Sequence, residues 1–339
     1  MAATSPASTP TLPHAGPFLA ADVGGTHVRI GRVQAGADPR HPVDVLDYRK
    51  YRCAEYSSLA AIIGDFLRDN PGVRDCVIAS AGYPLADGTV ITNNLPWVLS
   101  PRAIREELGL AAVHLVNDFE AVAHAAAYVD ASEVLQLAGP AQAPRGPTLV
   151  LGPGTGLGAA VWIPNDGFPV VLATEAGQAA LATNTELEMQ LVREMLRHRT
   201  HVPVEHAISG PGLLNLYNAL CAVHGVPAVH TTPDAISTAA LEGSDRLAHQ
   251  TLDVFCGLLG SVVGDMALLY GVQGGIYLAG GILPRIRQFL IDSSFVQRFL
   301  DKGSMREALE RIPVKLVEHG QLGVVGAASW YLGQKAKAA

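Results

Sequence analysis

Three short apolar runs in this chain each lead into glycine. They are residues 18–21, 149–151 and 276–278. A short apolar run bounded by turn residues predicts a buried strand, and glycine allows a ligand to approach the backbone closely. Each run is therefore predicted to be a buried strand that leads into a turn.

The first of these turns has the composition of an anion-binding hairpin tip. Asp22, Gly24, Gly25 and Thr26 follow the first run, and residues 28–33 then alternate between apolar and other positions, as in a returning strand. Successive backbone N–H groups and a hydroxyl at such a tip can hold an anion. Asp22 would repel a phosphate there unless a divalent cation lay between them, so the turn predicts magnesium.

The second turn is the richest in glycine. Gly154, Thr155 and Gly156 lie within the segment GPGTGLG at residues 152–158. A strand that runs into a phosphate-binding turn explains this composition. A glycine hairpin explains it too, because residues 159–162 could pair with residues 149–151. The residues of this segment alone leave both interpretations open.

The remaining pattern alternates between strands and helices, which favours a mixed α/β fold. A domain boundary is predicted near residues 128–136. The most apolar helix carries Asp253 and Asp265, so it is expected to be a core helix and not a membrane span. The predicted strands are 75–81, 89–92, 113–116, 169–173 and 313–317, and the predicted helices are 57–67, 101–108, 119–126, 184–198, 213–223, 233–241, 251–270, 286–290 and 321–331.

Composition narrows the class of protein. The chain has 339 residues, of which 49% are hydrophobic and 16% charged, with a formal net charge of −7. This size favours two domains, and the charge argues against a surface for nucleic acid or an anionic membrane. Its four cysteines form no CxxC pair, which suits a reducing cytoplasm. Residues 1–16 lack the features of a secretory signal and are expected to be a disordered extension.

Several polar residues stand where strands are predicted to end. Asn117 and Asp118 follow the strand at 113–116. Asp118 could cap the next helix or perform chemistry at the carboxyl edge of a sheet. Asn93 could be a turn residue or a ligand for polar substrate groups. Glu205, the only carboxylate in residues 201–212, could be a solvated loop charge or a binding group.

Six segments in order resemble the bacterial glucokinase family of the actin and hexokinase ATPase superfamily. They are ADVGGTHVRIG, TNNLPW, LVNDFEAVA, GPGTGLG, ISGPGLLNLY and YLAGGILPR. The resemblance implies a two-domain, actin-like ATPase fold of the ribonuclease H-like type, with the active-site cleft between the domains. It also implies a small domain at 17–128 plus 319–339, a large domain at 129–318, and a homodimer.

The resemblance further implies phosphorylation of the 6-hydroxyl of D-glucose by ATP with Mg²⁺. Asp118 would be the catalytic base. The residues that would hold the nucleotide are Asp22, near the metal, with Gly24, Gly25, Thr26, Gly154, Thr155, Gly156, Gly210, Gly280 and Gly281. The residues that would contact the sugar are Asn93, Asn117, Asp118, Glu175, Gln178 and Glu205.

The chain departs from the family at one motif. The family has Glu-Gly-Gly-His where this chain has Glu175, Ala176, Gly177 and Gln178. Losing the imidazole is expected to cost about 0.5–1.5 kcal/mol of sugar binding, the value of a neutral hydrogen bond. Ala176 would add about 1–2 kcal/mol of strain if its backbone were left-handed. A weakened or altered hexose preference is therefore expected.

Other classes of protein remain as alternatives. A kinase fold that no longer phosphorylates could act as a sugar sensor or regulator, in keeping with the altered motif. Another ATPase of the superfamily, such as an acyl kinase or a chaperone, fits the sugar-type motifs less well. The ROK branch of sugar kinases shares the fold and the reaction, but it carries a cysteine-rich zinc motif and this chain has no cysteine cluster.

Overall fold

The computed structural model describes residues 16–38, 40–85, 89–91, 95–126, 128–165 and 169–338. Within these ranges the strands are β1 (Phe18–Val23), β2 (His27–Asp38), β3 (His41–Arg52), β4 (Asp75–Ser80), β5 (Tyr83–Pro84), β6 (Val90–Ile91), β7 (Ala112–Val116), β8 (Val134–Ala138), β9 (Thr148–Pro153), β10 (Leu157–Ile163), β11 (Val170–Thr174), β12 (Gly275–Leu278) and β13 (Val314–Val317).

The α-helices in the described ranges are α1 (Leu59–Asp69), α2 (Pro101–Leu108), α3 (Asp118–Ala126), α4 (Glu186–Met195), α5 (Gly210–His224), α6 (Pro233–Glu242), α7 (Arg246–Leu269), α8 (Arg287–Asp292), α9 (Phe295–Leu300), α10 (Arg306–Leu309) and α11 (Leu322–Ala338). Strands and helices thus alternate over most of the chain, which confirms the predicted α/β class.

The chain divides into two compact units. Unit 1 comprises the described residues of Met1–Asp130, Trp162–Ala173 and His319–Ala339. Unit 2 comprises those of Ala131–Val161 and Thr174–Glu318. The five-stranded sheet belongs to unit 1, and the candidate site residues fall into two groups, one in each unit.

The sheet of unit 1 has five strands in the order β3-β2-β1-β4-β7. Strands β1, β4 and β7 are parallel, whereas β2 is antiparallel to both β1 and β3. Alternate residues of β1 point to opposite faces, so Leu19 and Ala21 pack in a core with Phe66 of α1, while Phe18 and Ala20 pack in a core with α11. The same alternation places Asp22 on the α11 face.

Helix α11 packs closely on this sheet and on α3. A Cβ atom at Gly326 would lie 1.8 Å from the backbone oxygen of Ala121, so only glycine fits there. The indole N–H of Trp330 donates a hydrogen bond of 3.0 Å to Glu120 of α3. These contacts hold the last helix of the chain beside the strand that carries Asp22.

The larger sheet has six strands in the order β11-β10-β9-β12-β13-β8. Strands β9, β12 and β13 are parallel, and β8 is antiparallel to β13. Helix α7 is long and apolar enough to cross a membrane by length and composition, but 72% of its most apolar window is buried inside the structure. This is the position of a core helix, as predicted.

Most predicted elements are present with shifted ends. Helix α5 begins at Gly210, three residues before its predicted start, because Ser209 caps it. At residues 148–163 the hairpin interpretation of the glycine segment is confirmed, since β9 and β10 are neighbours in the sheet and the glycine turn joins them. Phosphate binding by this turn stays a prediction. Strands β3, β5 and β8 and helices α9 and α10 were not predicted. Asn93 lies outside the described residues.

Candidate active site

The first glycine turn of unit 1 connects β1 to β2. The N–H of Gly24 donates to the backbone oxygen of His27 at 3.0 Å, which closes the turn. Gly24 and Gly25 are half-buried, and Thr26 is exposed. The predicted hairpin turn is present, and it places glycine backbone and one hydroxyl at the carboxyl end of β1. Anion binding at this turn stays a prediction.

Asp22, at the start of this turn, is packed between a guanidinium and a helix. Arg29 lies opposite Asp22 in the β1–β2 ladder, and its Nη1 is 3.0 Å from Asp22 Oδ2. A Cβ atom at Gly323 of α11 would lie 2.4 Å from Asp22 Cγ. Burial raises the pKa of the Asp22 carboxyl above its ordinary value, and Arg29 opposes that shift.

The ion pair with Arg29 bears on the magnesium ion that was predicted beside Asp22. Asp22 was expected to need a divalent cation because it would otherwise repel phosphate, but Arg29 already supplies a positive charge beside it. Among the described residues, no three His, Cys, Asp or Glu side chains come together as a metal cage. Mg²⁺ commonly binds one or two carboxylates together with substrate phosphates, so the single carboxylate of Asp22 fits a magnesium ion that arrives with a nucleotide.

Asn117 and Asp118 lie where β7 passes into α3. Oδ1 of Asn117 accepts hydrogen bonds from the N–H groups of Phe119 and Glu120, each at 3.0 Å. Asn117 is therefore the residue that caps α3, and the capping role considered for Asp118 is wrong. Asp118 is half-buried in the first turn of α3, where its Oδ1 accepts a hydrogen bond of 2.9 Å from the N–H of Phe119.

The strand register places the two acidic positions of unit 1 on the same edge of the sheet. Asp22 of β1 pairs with Ala79 of β4, and Ala79 pairs with Val116 of β7. Neighbouring strands are about 4.8 Å apart, so the positions of Asp22 and Val116 are separated by roughly 10 Å across β4. Asp118 follows Val116 by two residues, at the carboxyl edge where open α/β sheets bind ligands.

The second glycine turn lies in unit 2, where three backbone segments meet. The N–H of Gly154 donates to the oxygen of Gly156 at 2.8 Å, and the N–H of Gly210 donates to the oxygen of Gly154 at 2.8 Å. Gly280 has φ of +97°, and a Cβ atom there would lie 2.7 Å from the oxygen of Pro153. The turn, the start of α5 and the end of β12 are thus in contact.

The start of α5 has the properties of an anion site. Ser209 caps the helix by accepting the N–H of Gly212 at 2.9 Å, and its hydroxyl donates to the backbone oxygen of Glu205 at 2.6 Å. The N-terminus of a helix carries partial positive charge and N–H groups that favour phosphate. Thr155 and Gly281 are exposed beside this region of predicted nucleotide contacts.

The predicted sugar residues of unit 2 form a hydrogen-bonded group. The side-chain amide of Gln178 donates to Glu205 Oε1 at 2.7 Å. The N–H of Gln178 donates to the backbone oxygen of Glu175 at 2.9 Å. Glu205 Oε2 accepts the N–H of Leu157, at the end of the glycine turn, at 3.3 Å. Glu205 is therefore a half-buried, hydrogen-bonded group and not a solvated loop charge.

The strain considered for Ala176 does not arise, because its backbone is not left-handed. Ala176 lies in a short 3₁₀ turn, Ala176–Gln178, and within the described part of the chain no residue other than glycine has a positive φ. The side chain is buried and follows an ordinary backbone path. The substitution of alanine for glycine at this position therefore carries no left-handed strain, and Gln178 remains as the chemical departure of the motif.

Three residues that contact this site in the structure were not among the predicted site residues. Arg29 pairs with Asp22, His201 Nε2 donates to the backbone oxygen of Gln178 at 3.0 Å, and Ser209 caps α5. Hairpin register could have identified Arg29, because it stands seven residues after Asp22 in a β1–β2 ladder. The cap could have been identified from a serine that precedes Gly-Pro. No sequence signal points to His201.

Comparison with known proteins identifies the family of this chain. The family model described as Glucokinase matches residues 19–334. A "Glucokinase-like protein" of Xylella fastidiosa strain 9a5c is 61% identical over 331 residues, which cover 98% of this chain and 99% of that protein.

Two solved structures show the fold. The crystal structure of a glucokinase from an Antarctic psychrotroph is 34% identical, covers 93% of this chain and 98% of its own, and superposes with a TM-score of 0.80. A ROK family glucokinase from Streptomyces griseus, in complex with glucose and AMPPNP, is 20% identical, covers 93% and 99% of the two chains, and has a TM-score of 0.64. The fold is thus the actin-like ATPase fold of sugar kinases, and the chain belongs to the glucokinase family.

Proposed function

We propose that this protein transfers the terminal phosphoryl group of ATP to the 6-hydroxyl of D-glucose or a closely related hexose. The observation that carries the proposal is the contact of Glu205 with both Gln178 and the backbone of the second glycine turn. A polar group suited to a sugar thus adjoins a turn suited to phosphate. Sugars need such fixed donors and acceptors, and phosphates need backbone N–H groups.

In this proposal the two glycine turns hold the nucleotide. Gly24, Gly25 and Thr26 contact the terminal phosphates, and the turn at residues 154–156, with Gly210 and Gly280–Gly281, borders the rest of the nucleotide. Asp22 would hold Mg²⁺, which when bound neutralises phosphate charge. The complex of the Streptomyces griseus protein with AMPPNP supports the use of ATP by this fold.

Asp118 acts as the base for the sugar hydroxyl. Its position just beyond β7 gives it the carboxyl edge that β1 and the first glycine turn also occupy. Phosphoryl transfer needs a carboxylate that accepts the proton of the attacking hydroxyl while the phosphate is held in line. The N–H of Phe119 hydrogen-bonds Asp118 Oδ1, which fixes the orientation of the carboxylate.

The sugar is held by amides and carboxylates. Glu175, Gln178 and Glu205 supply them in unit 2, and Asn117 offers its amide N–H groups in unit 1 because its oxygen is used by α3. Asn93 remains a predicted sugar contact. The proposal uses groups from each unit, and it includes a cytoplasmic location and a homodimer.

A coupled assay of ATP consumption across glucose, mannose and glucosamine tests the proposal. We expect turnover on at least one hexose, with the phosphate located on the 6-oxygen by NMR. The KM for glucose should be raised, because Gln178 replaces an imidazole. Absence of turnover on every hexose, with ATP and Mg²⁺ saturating, would exclude a hexokinase activity.

A sugar sensor that does not phosphorylate is the second candidate. The observation in its favour is the hydrogen bond of 2.7 Å between Gln178 and Glu205, which occupies two sugar-type groups with each other. A sensor would bind glucose in a calorimeter and consume no ATP. The half-buried Asp118, at the same edge of the sheet as Asp22, favours the enzyme.

A further inference from the structure

Glu205 contacts both the proposed sugar site and the proposed nucleotide turn. One carboxylate oxygen accepts the amide of Gln178 at 2.7 Å, on the sugar side. The other accepts the N–H of Leu157 at 3.3 Å, on the side of the glycine turn. A single carboxylate has two oxygens in a rigid plane, so a movement that improves one contact shifts the other.

Gly156 makes this contact possible. A Cβ atom at Gly156 would lie 2.7 Å from Glu205 Oε2, closer than unbonded atoms approach. Gly154, two residues earlier in the same turn, has open space at its Cβ position. Neither glycine has a positive φ, so backbone conformation does not require glycine at either position. The carboxylate of Glu205 therefore occupies the space that a side chain at Gly156 would fill.

The backbone of Glu205 reaches the same turn by a second route. Its oxygen accepts the hydroxyl of Ser209, which caps α5, and the next residue, Gly210, donates to the oxygen of Gly154 at 2.8 Å. Both the side chain and the main chain of Glu205 are thus fixed against the nucleotide side of unit 2. A sugar that binds Glu205 must replace or share the amide of Gln178.

We propose that Glu205 couples the hexose site to the nucleotide turn, and that Gly156 is a positioning residue for the hexose site. This proposal rests on the proposed function. Sugar hydroxyls that bind Oε1 reorient the carboxylate, and Oε2 then holds the turn at Leu157 and Gly156 in the arrangement that binds phosphate. Bound hexose therefore tightens nucleotide binding within unit 2, and by thermodynamic linkage the nucleotide tightens hexose binding by the same factor.

The first test measures sugar binding with no nucleotide present. D-Glucose is titrated calorimetrically into the wild type, Gly156→Ala and Gly154→Ala. We expect Gly156→Ala to weaken glucose binding about tenfold, the value of a displaced hydrogen bond, and Gly154→Ala to change it less than about twofold. Both substitutions lie in the nucleotide turn, so a general loss of turn structure would affect the two alike. Wild-type glucose affinity in Gly156→Ala would overturn the positioning role.

The reciprocal test measures nucleotide binding with no sugar present. MgAMPPNP is titrated into the wild type, Glu205→Gln and Gln178→Leu. Glu205→Gln should weaken MgAMPPNP binding about three- to tenfold because the turn loses a charged acceptor. Gln178→Leu should change it less, because it removes only the contact to Oε1 and leaves the contact of Oε2 with the N–H of Leu157 in place. This arm decides the question even if Gly156→Ala fails to fold. Equal MgAMPPNP affinities in all three proteins would overturn the coupling.

Titrating each ligand in the presence of the other separates this proposal from the proposed function. Coupling predicts that saturating glucose strengthens MgAMPPNP binding by a factor of about five or more, in the usual range of linked sites, and that Gly156→Ala reduces the factor. Binding of both ligands with a factor of one would refute the coupling and leave the kinase proposal standing. Failure of the wild type to bind either ligand would refute the kinase proposal itself.

Discussion

The two glycine turns differ in where their carboxylate comes from. The first turn carries its own acid, Asp22, which stands two positions before Gly24 and is paired with Arg29 in the same hairpin. The second turn has no acid of its own and is backed by Glu205, about fifty positions further along the chain. Each carboxylate nevertheless lies where the Cβ atom of a nearby glycine would strike it: Gly323 of α11 for Asp22, and Gly156 of the second turn for Glu205.

This difference indicates a division of labour. In unit 1 the acids follow directly from the ends of parallel strands, so their positions are fixed by the ladder register. In unit 2 they lie on loops that are tied together by side-chain hydrogen bonds. We infer that unit 1 supplies the groups that must be placed accurately for proton and phosphoryl transfer, and unit 2 supplies the groups that set ligand affinity.

The largest expected effect tests this division directly. Asp118→Asn should lower kcat by about 10²- to 10⁴-fold, the usual range for loss of a general base. Glucose and MgAMPPNP should bind with nearly wild-type affinity, because the amide keeps the shape of the carboxylate and the hydrogen bond from Phe119. Steady-state kinetics and calorimetry check the two parts. A variant that keeps more than half of the wild-type rate would refute the role of Asp118.

Gly323→Ala tests the packing of α11 against Asp22 at the first turn. The new Cβ atom would lie 2.4 Å from Asp22 Cγ, so either the carboxylate or α11 must move. Overpacking of this kind costs about 1–3 kcal/mol, which thermal or urea unfolding measures. MgAMPPNP binding should weaken as well, because Asp22 is displaced from the turn.

Gly333→Ala is the matched control in the same helix. Its Cβ position has no neighbour within 4 Å, so alanine should be neutral or stabilise the protein by up to about 1 kcal/mol through helix propensity. Equal stability of the two variants would show that the contact between Gly323 and Asp22 is unimportant.

The sequence could predict most of unit 1 because its signals are local. Strand β1, its glycine turn and the acid after β7 follow one another along the chain, and apolar alternation identifies the faces. Strand β3 was missed because Asp44, Asp47, Arg49 and Lys50 interrupt its apolar pattern, and its edge position in the sheet needs no continuous apolar run.

The site in unit 2 was less predictable because its contacts join distant residues. The resemblance supplied Glu205 as a sugar contact, but its hydrogen bond to Leu157 joins residues 48 apart. The cap at Asn117 shows the local limit as well, since either member of an Asn-Asp pair could have capped α3. Asn93 is a prediction that the described residues leave untested.

Gln178→His is the smaller test on the side of the second turn. The imidazole restores the residue that the family motif has at this position and should strengthen glucose binding by up to about tenfold, or 0.5–1.5 kcal/mol. Gln178 is one of the residues of unit 2 that we infer to set ligand affinity. In Gln178→His, kcat should therefore change little and the KM for glucose should fall. Gln178→Leu, which cannot hydrogen-bond Glu205, should raise KM instead. Unchanged KM in both variants would exclude position 178 from the sugar site.

The smallest expected effect is the contribution of Asp22 to the pH dependence of the protein's stability. Burial raises the pKa of Asp22 in the folded protein, so between the unfolded pKa of about 3.9 and the higher folded value the folded state binds more protons than the unfolded state. Wild-type stability therefore falls as pH rises through that window, and the loss persists at neutral pH.

Asp22→Asn removes this titration. The variant should unfold at a slightly higher temperature than the wild type at pH 7, and the difference should shrink as the pH falls below about 4, where Asp22 is protonated in both states. Asp69→Asn, at an exposed ion pair with Arg49, is the control, since such pairs contribute little. A less stable Asp22→Asn variant at pH 7 would mean that attraction to Arg29 outweighs burial. A higher unfolding temperature for Asp22→Asn at pH 7 would show that the Asp22 carboxylate lowers the stability of the wild type. Residues that serve ligand binding commonly have this effect.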